Sequence, residues 1–220
     1  MFNKVIKNTF YLSFSSLYSK MIFFGVIFLL TKFLGPDTYG EYVIALNYIS
    51  YFGLFTVLGF DTVLTKELSR DLINAEKLQN SFFTLRFCLS FVLSFSAILL
   101  SFYLNYSNTT KICILLLSPI IFFGGNINCG LTEHYSLIIR SFEEMKFIAY
   151  SNIIKSTFTL ALLSFLFYFD LYNIYIYCLL LTIVGLINLV YIYRCSQIFI
   201  NNSFKFDFNF KKIKKYFKPI

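Results

Sequence analysis

The sequence predicts an all-α membrane protein of six transmembrane helices, and three observations carry that prediction. The apolar stretches run to ~20 residues, the length a helix needs to cross a hydrocarbon core of ~30 Å. The chain is 58% hydrophobic and only 14% charged, too apolar for one soluble core of 220 residues, so lipid must solvate most of it. The segments between the apolar stretches are alternately basic and nearly free of Lys and Arg, which is the positive-inside pattern.

Span 1 is expected over about 10–33, after a short basic start with Lys4 and Lys7. It stops at Leu34-Gly35-Pro36-Asp37, where glycine suits the position after a helix and proline suits the first turn of the next. Span 2 is expected over about 42–64. A charged stretch from Lys66 to Gln79 follows, with Leu64, Leu68 and Leu72 on one face, and it reads as a helix lying on the membrane surface. Span 3 covers about 81–103, with Arg86 in its first turns. Span 4 covers about 112–131, and Pro119 with Gly124-Gly125 makes it the helix expected to bend. Span 5 (about 147–169) and span 6 (about 171–193) form a tight hairpin around Asp170. Residues 1–200 thus form one transmembrane lobe and 201–220 a basic cytoplasmic tail, which reads as an arm on anionic lipid. Its last residues, from Tyr216 to Ile220, look like the entry to a further apolar helix.

The cations fix the direction. Lys4, Lys7, Lys66, Arg70, Lys77, Arg86, Arg140, Lys146, Arg194 and the six tail lysines fall on one side. Only Lys32 and Lys111 fall on the other, so both termini are expected to be cytoplasmic. Tyr39, Tyr42, Tyr103, Tyr106, Tyr172 and Tyr193 near the span ends suit an interfacial aromatic belt.

Composition excludes several function classes. The net charge of +8 lies at the ends of apolar spans and not on a soluble module, which argues against nucleic acid and for a lipid surface. The first apolar run holds Lys20 and lacks a small-residue cleavage site, so it is a retained span and not a signal peptide. Cys88, Cys113, Cys129, Cys178 and Cys195 are scattered without metal-ligand spacing. His134 stands without a partner motif and reads as a solvated loop side chain. Neither a phosphate-binding Gly-rich loop nor a His-Glu-x-x-His pattern is present, so neither enzyme chemistry nor a cofactor or metal is expected.

Charges within spans are functional candidates by default, because placing one at mid-bilayer costs ~2.5–3.5 kcal/mol on insertion scales. Lys20 sits near the middle of span 1, where snorkelling is hardest, and reads as lining a water-filled cavity. Lys155, in the first half of span 5, reads as a cavity residue or a snorkelling one. Arg86 divides between cavity and interface anchor. Asp61 and Asp170 lie near span ends and suit capping. Asn47, Asn126, Asn128 and Asn188 are candidate hydrogen-bonding groups inside spans.

Three motifs carry a resemblance. The run Leu34-Gly35-Pro36-Asp37-Thr38-Tyr39-Gly40-Glu41-Tyr42 resembles the LGPxxYGxY signature of polysaccharide flippases. Leu58-Gly59-Phe60-Asp61, with Thr65-Lys66-Glu67-Leu68-Ser69-Arg70, is similar to that family's run after span 2. Arg140-Ser141-Phe142-Glu143-Glu144-Met145-Lys146-Phe147 resembles its loop before span 5. The chain is thereby identified as similar to the Wzx-type repeat-unit flippases of the MOP superfamily, over the N-terminal half of their two-lobed architecture. The resemblance implies a non-enzymatic multi-pass inner-membrane transporter that moves polyprenyl-pyrophosphate-linked oligosaccharide for O-antigen (lipopolysaccharide), capsule or exopolysaccharide. It also implies, as partners, a C-terminal lobe and polysaccharide polymerase machinery. On this reading Lys20, Lys155 and Arg86 meet the pyrophosphate, and Asn47, Asn126 and Asn188 meet sugar hydroxyls. A second reading is a truncated or accessory half-protein that does not transport. A third is a multidrug exporter of the related branch, which calls for a membrane carboxylate that the sequence does not plainly offer.

Overall fold

The computed structural model describes residues 2–57, 60–70, 75–125, 127 and 129–200. Gly59, Asn126, Asn128 and the basic tail from 201 lie outside the described residues. Among those described, every regular element is a helix: α1 (Phe2–Leu34), α2 (Pro36–Phe55), α3 (Phe60–Arg70), α4 (Ala75–Tyr103), α5 (Asn108–Leu117), α6 (Pro119–Phe123), α7 (Gly130–Ser141), α8 (Met145–Tyr168) and α9 (Ile174–Ser196). Among the described residues, four stretches are long and apolar enough to cross a membrane, Lys4–Leu34, Gln79–Tyr103, Met145–Tyr168 and Ile174–Ser196. The protein is a multi-pass membrane protein. α2 is more polar, with Glu41, Asn47 and four tyrosines, and the apolar helical stretch Asn108–Phe123 is shorter.

The first turn forms as its residues dictate. Gly35 takes φ 82°, a conformation that side chains resist, and Pro36 opens α2 at its first position with Asp37 beside it. Span 2 differs from expectation. The helix stops at Phe55, because Thr56 is captured: its hydroxyl donates to Gly53 O at 2.7 Å and accepts the Gly130 N–H at 3.2 Å. The chain then turns into α3, whose Leu64 and Leu68 are buried against α4 and α7. The apolar stripe expected to face lipid headgroups has thus found a protein surface through α3.

Span 4 is broken in two places. Ser118 and Pro119 divide α5 from α6, and the chain leaves the helix again at Gly124 until α7 begins at Gly130. Gly124 and Gly125 have φ 87° and 134°, and Gly185 of α9 lies so close that a Cβ on it would meet Gly124 O at 2.8 Å. What the sequence suggested was a solvated loop around His134 is the buried helix α7, with residues 131–139 all shielded from solvent. His134 is fully buried there, not solvated. Tyr42 also departs from the expected belt, packing inside with its ring 5.5 Å from that of Tyr177.

α1 and α8 run parallel. Near the start of α1, Lys4 lies 3.7 Å from Glu143 and Asn8 donates to Glu143 O at 2.7 Å; near its end, the Phe33 ring stacks on Tyr172 and lies tilted against Phe167 with centroids 4.4 Å apart. Two apolar cores lie at different heights in the bundle. One joins Val26 and Leu30 of α1, Leu163 and Phe167 of α8, and Tyr177 and Leu181 of α9. The other joins α3, α4 and α7 to Ile148 of α8 and Ile192 of α9, with Leu12 of α1 at its edge. On α1, α8 and α9 the residues between these two sets are where the polar side chains fall.

Candidate functional site

That intermediate height is hollow. A cavity of about 500 Å³ opens between α1, α2, α8 and α9, and both Lys20 and Lys155 line it. The helical period explains the lining. Ser16, Ser19, Lys20 and Phe23 stand at i, i+3, i+4 and i+7 on α1, and Asn152, Lys155, Ser156 and Thr159 repeat that spacing on α8. Two otherwise apolar helices therefore turn polar stripes toward a common space. The stripes also hold the helices together: Ser19 donates to Asn152 O at 3.3 Å, and the Tyr18 and Thr157 hydroxyls are 2.9 Å apart. Ser50 of α2 and Tyr177 of α9 add hydroxyls, and among the described residues the lining includes no carboxylate.

Lys155 is the pivot. Its ammonium donates to Gly125 O at 2.9 Å, at the break in span 4, so the backbone carbonyl freed by that break receives a cation. Its side chain also borders a second chamber of about 210 Å³, with Thr132, Glu133, Ser136 and Arg140 of α7 and Asn188 of α9. Glu133 is paired there with Arg140 at 2.6 Å, its side chain 7% exposed. The Ser151 hydroxyl donates to Asn188 Oδ1 at the same height.

The expected residues therefore divide. Lys20 and Lys155 come together, and Asn188 lies in the adjoining chamber. Arg86 does not join them: it is buried on α4 and makes an ion pair with Asp61 of α3, which makes it neither an interface anchor nor a member of this cavity. Asn47 is exposed on α2 and is not among the residues that line either chamber, and Asn126 lies outside the described residues. Of the motif residues, Leu34, Gly35, Pro36, Tyr39 and Gly40 form the α1–α2 junction, and Arg140 holds Glu133. Arg70 ends α3, and Gly59 is outside the description. Sequence reasoning missed Ser16, Ser19, Asn152, Ser156 and Thr159, although their matched spacing on two apolar spans was the available signal. It also missed Glu133 as a buried carboxylate, because a charge-rich stretch gives no sign that its charges pair internally.

A family model described as polysaccharide biosynthesis protein matches residues 5–220. No curated protein matched the chain. No solved structure matched it either.

Proposed function

Because the chain belongs to the polysaccharide biosynthesis protein family, we propose that it carries polyprenyl-pyrophosphate-linked oligosaccharide repeat units across the bacterial inner membrane. The observation that carries this reading is that Lys20 and Lys155 line one cavity with no carboxylate among its described lining residues. Two ammonium groups held at mid-bilayer are costly alone and become favourable beside an anion. A pyrophosphate is such an anion, and the hydroxyl and amide groups around it suit the hydroxyls of sugars. The protein moves its cargo and does no covalent chemistry on it. The chain crosses six times, with both termini cytoplasmic, and α2 and the broken α5–α6–α7 supply the two crossings beyond the four long helices. A facing C-terminal lobe closes the cavity for alternating access, and polymerase machinery on the outer face takes the delivered unit.

The test is surface polysaccharide in a strain that lacks its own repeat-unit flippase, read beside membrane abundance. Joined to a facing C-terminal lobe, the chain is expected to restore display, Lys20→Arg to keep most of it, and Lys20→Gln with Lys155→Gln to lose at least tenfold at equal abundance. Full display by the double Gln variant overturns the cationic cavity. Absence of display by the unaltered chain favours the non-transporting half-protein.

A further inference from the structure

Lys155 borders a third opening, different in character from the two chambers. It is a cleft of about 140 Å³ between α8 and α9. Ser151, Ile154, Lys155 and Phe158 line one wall, and Val184, Ile187, Asn188 and Tyr191 the other, both at i, i+3, i+4 and i+7, so two facing stripes have parted. Its outer edge is apolar and open: Ile154, Phe158 and Ile187 are 51%, 43% and 47% exposed. Its inner edge is polar, formed by Lys155 and by Asn188 with the Ser151 hydroxyl bound to it. On its other side α8 is closed against α1 by the hydroxyl contacts of Tyr18 and Ser19. The cleft is thus an apolar slot that runs from the lipid-facing surface to a cation of the cavity.

An amphiphile with a pyrophosphate head and a long hydrocarbon tail needs this arrangement. Its head belongs in the polar cavity. Drawing the tail in after it would strip the tail of hydrocarbon contact and place it among serines and lysines. A lateral opening next to the head's counter-charge removes that cost. We propose that the slot between α8 and α9 holds the first isoprene units of a polyprenyl pyrophosphate, whose head sits on Lys155 while the rest of the tail stays in the bilayer. The proposal rests on the cargo reading above and adds to it the path of the tail. The charge at the inner end is what selects this occupant over a phospholipid chain, which needs only the apolar rim.

The experiment uses the full 220-residue chain in phosphatidylcholine nanodiscs. The probe is farnesyl pyrophosphate with a diazirine on its second isoprene unit, photolysed and mapped by peptide mass spectrometry; the control is the matching farnesol. Label is expected on residues 154–158 and 184–191, displaced by excess farnesyl pyrophosphate and at least fivefold weaker with farnesol. Phe158→Trp, and Ile187→Trp separately, fill the slot and should cut this label at least fivefold with the thermal melt unchanged. Lys155→Arg should keep the label, and Lys155→Gln should reduce it to the farnesol level. Equal labelling by farnesol, without competition, identifies an ordinary bilayer chain only and overturns the proposal. Competed label that falls on residues 16–23 of α1 overturns the slot but leaves the cationic cavity standing. Absence of any label above the farnesol level on the unaltered chain overturns the cavity reading as well.

Discussion

At the scale of single residues, burial decides which charges serve the cavity and which serve the scaffold. Arg86 has a side chain 3% exposed and Asp61 one 20% exposed, and they are each other's ion-pair partners between α4 and α3. Removing one partner of such a pair strands the other, at a cost of about 3–5 kcal/mol, whereas removing both with apolar or neutral isosteres is often close to neutral. Asp61→Asn is therefore expected to lower the melting temperature in detergent sharply, and Asp61→Asn with Arg86→Met to recover most of the loss. A double variant as unstable as the single one would show that Arg86 does more than answer Asp61. His134 makes the converse case. Both its ring nitrogens are buried without a hydrogen-bond partner among the described residues, between the rings of Phe83 and Tyr135. Unsatisfied buried groups cost about 1–3 kcal/mol, so His134→Leu is expected to hold or raise the melting temperature. A marked drop would mean that the imidazole has a partner in the membrane. Neither pairing nor orphaning of these residues was legible in the sequence, since a charge or an imidazole in a polar run reads the same in water and inside a bundle.

At the scale of elements, the long regular helices were legible and the irregular ones were not. α8 and α9 follow the expected spans within a few residues, because a run of ~20 apolar residues has one way to satisfy its backbone in lipid. The position of the bend in span 4 was also readable, from Pro119 and the two glycines. The end of α2 was not, because its cause is tertiary: Thr56 is held by Gly130, 74 positions away in the chain. The buried course of α7 was hidden for a like reason, with Glu133 answered by Arg140 across two turns. The cavity stripes were legible only as spacing, since nothing in either helix alone says that the other faces it. Glycines test this division. Gly40 belongs to the LGPxxYGxY resemblance yet lies within α2 with nothing within 4 Å of an added Cβ. Gly40→Ala is expected to leave stability unchanged or to raise it by about 0.5–1 kcal/mol, as alanine does in a helix. At Gly185 the same change drives a methyl into Gly124 O, 2.8 Å away, and onto the backbone that holds Lys155. Over-packing of this kind costs about 1–3 kcal/mol. Thermal melts of the two alanine variants should thus diverge in sign or size; equal behaviour would remove the close helix contact from the account of the break.

At the scale of the whole molecule, the charge pattern and the contacts agree on which ends lie together. The start of α1 meets the segment before α8 through Lys4 with Glu143 and Glu144, and the end of α1 meets the α8–α9 hairpin through Phe33 with Tyr172. The first of these ends is the basic one, with Arg140 and Lys146 close in sequence; the second carries Lys32 alone near its helix end. Positive residues in short connections are retained on the cytoplasmic side, so the proposed orientation puts the end that holds Lys4 and Glu143 at the cytoplasm. The cavity lies between the two apolar cores, so the proposed function puts Lys20 and Lys155 away from both membrane surfaces, where an anion would meet its highest barrier. Orientation then has a direct test. Reporter fusions at Asn74, Glu143 and Asn209 are expected to read cytoplasmic, and those at Asn108 and Asp170 periplasmic. The pair at Asn74 and Asn108 brackets α4, while Asn108 and Glu143 bracket the broken segment from α5 to α7. If Asn108 and Glu143 read on the same side, that segment enters and leaves by one face, the count of crossings falls by one, and α8 must be reversed against α1. The parallel pairing of α1 with α8, fixed at both ends by the contacts above, stands against that outcome.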